Sequence, residues 1–402
     1  MRNQTVYETF AAAGYALSLR GFSAIDQYLG LEPLPFMWVE TDGDLAALAR
    51  LFEGLRFPGV EIADAAFDIA GQSWYVRCLD PDEGRRDSYK VLALTQDWKT
   101  RRFWDPWALP ELPGLYPLLR QFRAGLSKNK QRTHSVGVAP QAAEPWWAGL
   151  DPGADYYRAA MDGALILARY GGTIGTVQQV RVFAQSLRGL SKGSPPREEE
   201  QRVLLTCLLL SSWPDQGLAL LKTCGFVAEL WPELGILDAV DHAKEFHPEG
   251  NVWNHTMETF QYRKTLDLRL SLGLLLHDVG KPRSTSSGNH RFAGHAELGA
   301  GLAHQFLNRL GFEAPLIRDI AYLVKNHMLP AALPRLPLAR TQEILESPLF
   351  PTLLELYRCD ESSSFKDLDG YYQSSAAYQA YLRYRRNPYK NGTGLYTPYS
   401  IK

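Results

Sequence analysis

Residues 274–282 read LLLHDVGKP. Three leucines of an apolar helix run into an imidazole beside a carboxylate, His277 and Asp278, and then into Gly280, Lys281 and Pro282, which end a helix. Burying such a pair without partners is costly, so the helix belongs in a fold that supplies them. A divalent metal ion satisfies both side chains at once. Further candidates for the same role follow along the chain: His255 in NVWNHTMETF, His295 in RFAGHAELGA, His327 in VKNHM and Asp360 in LYRCDESSS. Each lies on or beside a different expected helix. That placement demands a helical bundle, because one helix face supplies only two ligands to a shared centre. Imidazoles with carboxylates suit Mn, Fe, Co, Ni or Zn better than Ca, and leave positions open for water or phosphate. Lys281, one turn beyond His277, reads equally as a solvated cap charge or as a contact for an anionic substrate.

The rest of the chain sets this bundle in an α+β frame. A length of 402 residues is too long for one ordinary core and implies two or three domains. The first 110 or so residues mix periods. FMWVE (36–40), WYVRCL (74–79) and KVLALT (90–95) read as strands, and DLAALARLFEGL (44–55) as an amphipathic helix capped by Asp44. The stretch 115–132 is basic, with Arg120, Arg123, Lys128, Lys130 and Arg132; it is either a solvated helix face or a patch for RNA phosphate. GVAPQAAEPWWAGLDPGA (137–154) reads as a linker. Beyond it the pattern is helical over 156–170, 176–189, 198–212, 216–230, 252–268, 269–279, 295–310, 315–328 and 339–358, before an aromatic and basic tail.

Composition narrows the class. A net charge of −1 gives no global pull towards nucleic acid. Cys78, Cys207, Cys224 and Cys359 are scattered, as reduced thiols of a cytoplasmic protein are. The start, MRNQTVYETF, does not read as a signal peptide, and the run VLLTCLLL (203–210) is too short to span a bilayer.

The order His, His-Asp, His, His, Asp resembles the HD superfamily of metal-dependent phosphohydrolases. EFHPEGNVWNHTMETF (245–260), LLLHDVGKPRST (274–285), RFAGHAELGAGLA (291–303) and LYRCDESSS (356–364) resemble more narrowly the HD domain appended to bacterial CCA-adding tRNA nucleotidyltransferases of the poly(A) polymerase family. The resemblance implies His255, His277, Asp278 and Asp360 as metal ligands and His295 and His327 as ligands of a second ion. It implies a catalytic Asp278 assisted by Lys281, and a divalent cofactor among Mn, Fe, Mg, Co, Ni and Zn. His290 is a candidate contact for a leaving group, His247 and Pro248 shape a turn, and His304 is a surface or packing residue.

Upstream, RRDSYKVLALTQDWKTRRFWDP (85–106) is similar to a nucleotidyltransferase segment in which Arg85, Arg86 and Asp87 hold ribose and phosphate; Asp155 and Arg158 echo a template-reading motif. The phosphate cradle of the family is matched only by GFSAID (21–26), which keeps Gly21 and Asp26. The following strand, LPFMW (34–38), has no carboxylate pair. Asp42 and Asp44 form a literal pair a few residues late. They are either a turn residue and a helix N-cap or slipped transferase carboxylates. The expected organisation is a nucleotidyltransferase-like head (1–133), a linker (134–154), a helical neck (155–244), an HD domain (245–370) and a tail (371–402). The leading expectation is a phosphohydrolase acting on a nucleotide or RNA-end phosphoester, with tRNA among the partners and no membrane. Two other readings stand: a divergent tRNA CCA nucleotidyltransferase, and a non-catalytic RNA-binding protein.

Overall fold

The structure is a computed structural model that describes residues 2–58, 63–79, 87–109, 112–128, 146–171, 177–240, 250–287, 290–364 and 367–385. The chain forms two compact units, Met1–Pro232 and Glu233–Lys402. No helix among the described residues is long and apolar enough to cross a membrane.

The first unit begins with α1 (Arg2–Ala12), β1 (Leu17–Arg20), α2 (Gly21–Leu29), β2 (Phe36–Thr41), α3 (Leu45–Leu51), β3 (Ala65–Ile69), β4 (Gln72–Cys78), β5 (Thr95–Asp97) and β6 (Phe103–Trp104). These strands make one mixed sheet in the order β3-β4-β2-β1-β5-β6. β2 and β4 run parallel and the other neighbours antiparallel. The short pair β7 (Ala108–Leu109) and β8 (Leu112–Pro113) leads into α4 (Tyr116–Lys128). Helices α5 (Tyr156–Tyr170), α6 (Val177–Arg188), α7 (Glu198–Leu209), α8 (Pro214–Cys224) and α9 (Phe226–Leu230) complete the unit. The α+β class expected from the changing periodicity is what the chain adopts.

A buried ion pair ties the sheet half of this unit to its helices. Asp26 on α2 and Arg169 on α5 are both almost fully buried. The guanidinium donates to both carboxylate oxygens at 2.8–3.1 Å, and the Tyr170 hydroxyl donates to Asp26 Oδ1 at 2.9 Å. Burial raises the Asp26 pKa, against the pull of Arg169. Asp26, the residue retained from the phosphate-cradle motif, is thus fully engaged in packing.

The second unit is helical. Past the short α10 (Pro232–Gly235), it comprises α11 (Val252–Thr259), α12 (Leu268–Leu276), the hairpin β9 (Thr285–Ser287) and β10 (His290–Ala293), α13 (His295–Arg309), α14 (Ala314–Asn326), α15 (Leu329–Ala332), α16 (Leu338–Glu346), α17 (Phe350–Ser362) and α18 (Asp369–Arg385). Helix α12 is central. Every residue from Leu270 to Leu276 is buried, against α11, α14 and α17.

Several boundaries differ from the sequence reading, each for a local reason. KVLALT is not a six-residue strand: Lys90–Ala93 forms a 3-10 turn that buries Val91, Leu92 and Ala93, and only Thr95–Asp97 pairs. An unbroken apolar run carries no period, so burial in a turn satisfies it equally well. The helix expected over 216–230 breaks at Gly225, whose φ of 102° is a left-handed cap. The one expected over 252–268 stops at Thr259, and a new N-cap, Asp267, accepts from Leu270 N at 2.8 Å. The one expected over 339–358 divides at Ser347, held extended by the following Pro348. The first part of the tail is helical: α18 runs to Arg385, with Tyr381 buried and its hydroxyl 3.0 Å from Glu346 Oε1. The residues past 385 lie outside the described chain.

Arg169→Met should leave the Asp26 carboxylate buried without its counter-charge and destabilise the protein by about 3–5 kcal/mol. Asp26→Leu in the same background should recover much of that loss. Thermal unfolding of the two variants measures both effects; an Arg169→Met protein as stable as the parent would contradict the role of the pair.

Candidate metal centre

The site is assembled where α12 ends. His277 continues the helical backbone, with φ −55° and ψ −38°, and the chain then folds tightly through Asp278, Val279 and Gly280. Gly280 has φ −82°, which any residue adopts. Its lack of a side chain serves another purpose: a Cβ there would lie 2.0 Å from the His295 carbonyl oxygen and 2.6 Å from Gly299 N. Gly280 is therefore not merely a helix terminator, as its position suggested. It lets the His-Asp turn touch the start of α13, which brings His295 beside Asp278.

Six of the expected residues meet here. His255 (α11), His277 (after α12) and Asp360 (α17) form one triad, and Asp278, His295 (α13) and His327 (after α14) form another. In the first, His255 Nε2 lies 2.9 Å and His277 Nε2 3.8 Å from Asp360 Oδ1. In the second, Asp278 Oδ1 lies 3.5 Å from His295 Nε2 and 3.8 Å from His327 Nε2. The other oxygen of Asp278 faces back to the first triad, 3.3 Å from His277 Nε2. One carboxylate thus stands between two ligand groups.

Tautomers decide what these nitrogens can do. The Nδ1 atoms of His277, His295 and His327 lie 2.8, 2.9 and 2.7 Å from the carbonyl oxygens of Leu274, Phe292 and Val324. A carbonyl only accepts, so each Nδ1 carries the hydrogen, and each ring when neutral turns an Nε2 lone pair into the site. His295 Nε2 and His327 Nε2 then face one another at 3.1 Å, an arrangement that a shared cation relieves. His277 Nε2 is buried and has no hydrogen-bond partner. Burial lowers the pKa of both His295 and His327, the latter to about 4. Burial works to raise the pKa of Asp278, but the His277 ring and the Lys281 ammonium outweigh it and hold the group well below the usual carboxylate range. Asp360 is lowered too, against burial, by its hydrogen bond to His255 and by the His277 ring. Neutral imidazoles and ionised carboxylates are the states that ligate a metal, and the orphaned His277 nitrogen fits one.

Lys281 stands beside Asp278 Oδ2 and over the Phe292 ring, mostly buried rather than a solvated cap. Ser363 was not anticipated: its Oγ lies 3.3 Å from His255 Nδ1 and orients that ring from α17. A serine one turn after an aspartate on one helix is its only sequence signal. His304 is exposed on α13, as expected. His247 and Pro248 lie outside the described residues, and the His290 side chain is not described.

The first unit gathers a second set. A cleft of about 400 Å³ is lined by Arg20, Trp38, Arg77, Asp87, Asp155 and Arg158 among others. Asp87 pairs with Arg20 at 2.7 Å, and Arg158 with Asp162 at 2.7 Å. Asp155 caps α5 through Tyr157 N and Arg158 N. Arg85 and Arg86 lie outside the described residues. Asp42 and Asp44 do not line the cleft: Asp42 accepts from Ala16 N and Asp44 from Ala47 N, each at 2.7 Å. They are a turn residue and an N-cap. On β2, Phe36, Trp38 and Glu40 alternate onto one face of the strand, and Trp38 lines the cleft.

Residues 252–354 match the HD domain family. A CC-adding tRNA nucleotidyltransferase of Thermus thermophilus is 34% identical over 141 residues, 33% of this chain and 32% of its own length. An A-adding tRNA nucleotidyltransferase of Deinococcus radiodurans is 33% identical over 201 residues, 47% of this chain and 44% of its own. The chain thus contains a match to the HD domain and is similar, over part of its length, to CCA-adding enzymes. A multifunctional CCA protein of Halorhodospira halophila adds 34% identity over 124 residues, 30% of this chain and 29% of its own. The chain spans less than half the length of each of these relatives.

The contact at Gly280 gives a direct test. Gly280→Ala should cost about 1–3 kcal/mol through overpacking against backbone. Gly301→Ala on the same α13, where an added Cβ meets nothing within 4 Å, should gain roughly 0.5–1 kcal/mol. Denaturant unfolding of both proteins checks this; equal effects would remove the steric role of Gly280.

Proposed function

We propose that the second unit is a divalent-metal-dependent phosphohydrolase acting on a nucleotide or RNA-end phosphoester, such as a 2′,3′-cyclic phosphate or a 2′-phosphate. The observation that carries this reading is the convergence of backbone-anchored imidazole Nε2 atoms on two ionised carboxylates, Asp278 buried and Asp360 half-buried. His255, His277 and Asp360 would hold one ion; Asp278, His295 and His327 would hold another. A bound divalent ion supplies Lewis acidity, polarising a phosphoryl oxygen and making water more acidic. The chain's own part is positional. Asp278 fixes the spacing of the two ligand groups through its two oxygens. Lys281 offsets the negative charge of Asp278, which lowers the repulsion an anionic phosphoester meets. The carbonyls of Leu274, Phe292 and Val324 hold the rings in the ligating tautomer. The names of two relatives, a CC-adding and an A-adding tRNA nucleotidyltransferase, support RNA and nucleotide as the substrate class.

Those same names favour a second reading, nucleotide addition to tRNA by the first unit, whose cleft offers Arg20, Arg77 and Arg158. Two-metal nucleotidyl transfer needs carboxylates at the metals, and the pair expected from the sequence, Asp42 and Asp44, is engaged elsewhere as a turn residue and an N-cap. We therefore rank hydrolysis first.

With metal restored, the protein should hydrolyse bis(p-nitrophenyl) phosphate or a 2′,3′-cyclic nucleotide. His277→Ala and Asp278→Ala should each reduce that rate by roughly 100-fold or more, with thermal unfolding confirming a folded chain. Metal analysis should give about two ions per chain, as bimetallic phosphohydrolases hold. Incorporation of labelled CTP or ATP into tRNA lacking its CCA end should stay at background. Robust incorporation without hydrolysis would replace this reading by the transferase one, and absence of both with retained RNA binding would make the protein a non-catalytic binder.

A further inference from the structure

One surface of the first unit takes no part in either reading. Helix α4 carries no acidic residue along its length, YPLLRQFRAGLSK. Leu119 and Phe122, with Leu115 just before the helix, are buried. One residue further round, Tyr116, Arg120 and Arg123 stand at i, i+4 and i+7 and share the outer face. Arg120 Cζ lies 4.7 Å from the Tyr116 ring centroid. Arg123 Cζ lies 5.2 Å from the Tyr28 ring, and Arg123 donates to the Tyr28 carbonyl at 3.1 Å. Tyr28 in turn meets Phe103 edge-on, with centroids 5.2 Å apart, and Phe103 lies on β6, the outermost strand of the sheet. The result is a continuous stripe: aromatic, guanidinium, guanidinium, aromatic, aromatic. Tyr116 is 54% and Phe103 37% exposed. The nearby carboxylate of Asp105 is turned into its own loop, accepting from Trp107 N and Leu115 N.

From this we infer that the outer face of α4, with Tyr28 and Phe103, is a binding surface for single-stranded RNA. Cations interleaved with rings match that ligand on both counts. The phosphates meet Arg120 and Arg123, and unpaired bases stack on the aromatic faces or on the guanidinium groups held over the tyrosine rings. An anionic partner without rings would use only the charges, and a duplex keeps its bases stacked away from the platforms. The inference stands whether or not the second unit hydrolyses phosphoesters, because it concerns a different surface.

Fluorescence anisotropy with labelled oligoadenylate, and with an RNA duplex as the comparison, tests it on the full chain. Tyr116→Ala should weaken single-strand binding roughly 5- to 150-fold, the range for losing one base stack, and leave duplex binding unmoved; Tyr116→Phe should restore it. The double variant Arg120→Gln/Arg123→Gln should reduce the slope of log affinity against log salt by about 1.4, two phosphate contacts on a single strand. Thermal unfolding of each variant separates a lost contact from a lost fold. Affinity unchanged in both Tyr116→Ala and the double arginine variant would overturn the proposal, and so would equal losses on single strand and duplex.

Discussion

The hydrogen bonds from imidazole Nδ1 atoms to backbone carbonyls govern the chemistry of the second unit. Each is made to the residue three positions earlier, at the end of a helix or tight turn: His277 to Leu274, His295 to Phe292, His327 to Val324. Because the carbonyl accepts, the ring cannot turn its hydrogen inward, and the Nε2 lone pair is left facing the site. The three rings approach closely, with neighbouring centroids 5.0 and 5.5 Å apart. Such a group cannot share protons without cost in a buried place. Burial alone pushes His295 and His327 towards the neutral form, while Asp278 and Asp360 stay ionised. A helical bundle organised in this way carries net negative, lone-pair-rich ligands in its interior, which is a demand for cations.

The surrounding fold keeps the ligands at that spacing. Helix α12 is buried from Leu270 to Leu276, so its end is a fixed point against which α11, α14 and α17 pack, and α13 meets the turn that follows it. Gly280 sets the approach of α13, and Ser363 sets the ring of His255. In the first unit the equivalent anchoring interaction is the Asp26–Arg169 pair. It uses the one acidic residue kept from the cradle motif, and the cleft of the same unit is lined by arginines and aspartates together.

Much of this was legible in the residues. The helical period is strong after residue 155, and α5 and α13 begin where an N-cap or a break in the pattern says they should. The ligand set could be read because histidines and aspartates fell on different apolar helices, where an unpaired polar group would be unaffordable. The failures share a cause. Gly225, the Asp267 cap and Ser347-Pro348 divide helices at points where apolar periodicity carries on, so the pattern hid the break. KVLALT lacked any period. The contact at Gly280 depends on two backbones that are distant in register, and the role of Ser363 depends on a ring from another helix; neither is encoded locally. The stripe on α4 was visible only as basic residues, because its aromatic partners, Tyr28 and Phe103, come from elsewhere in the chain.

The central claim is that Asp278 stands between two ligand groups built to hold two ions. Electron paramagnetic resonance of the protein loaded with Mn²⁺ tests it most directly. Two ions held by the two ligand groups on either side of Asp278 would be close enough to couple, so the second equivalent should quench the six-line signal of an isolated ion, and Asp278→Ala should abolish that coupling. A signal that grows as independent six-line Mn²⁺ through two equivalents, or one indifferent to Asp278→Ala, would contradict the account.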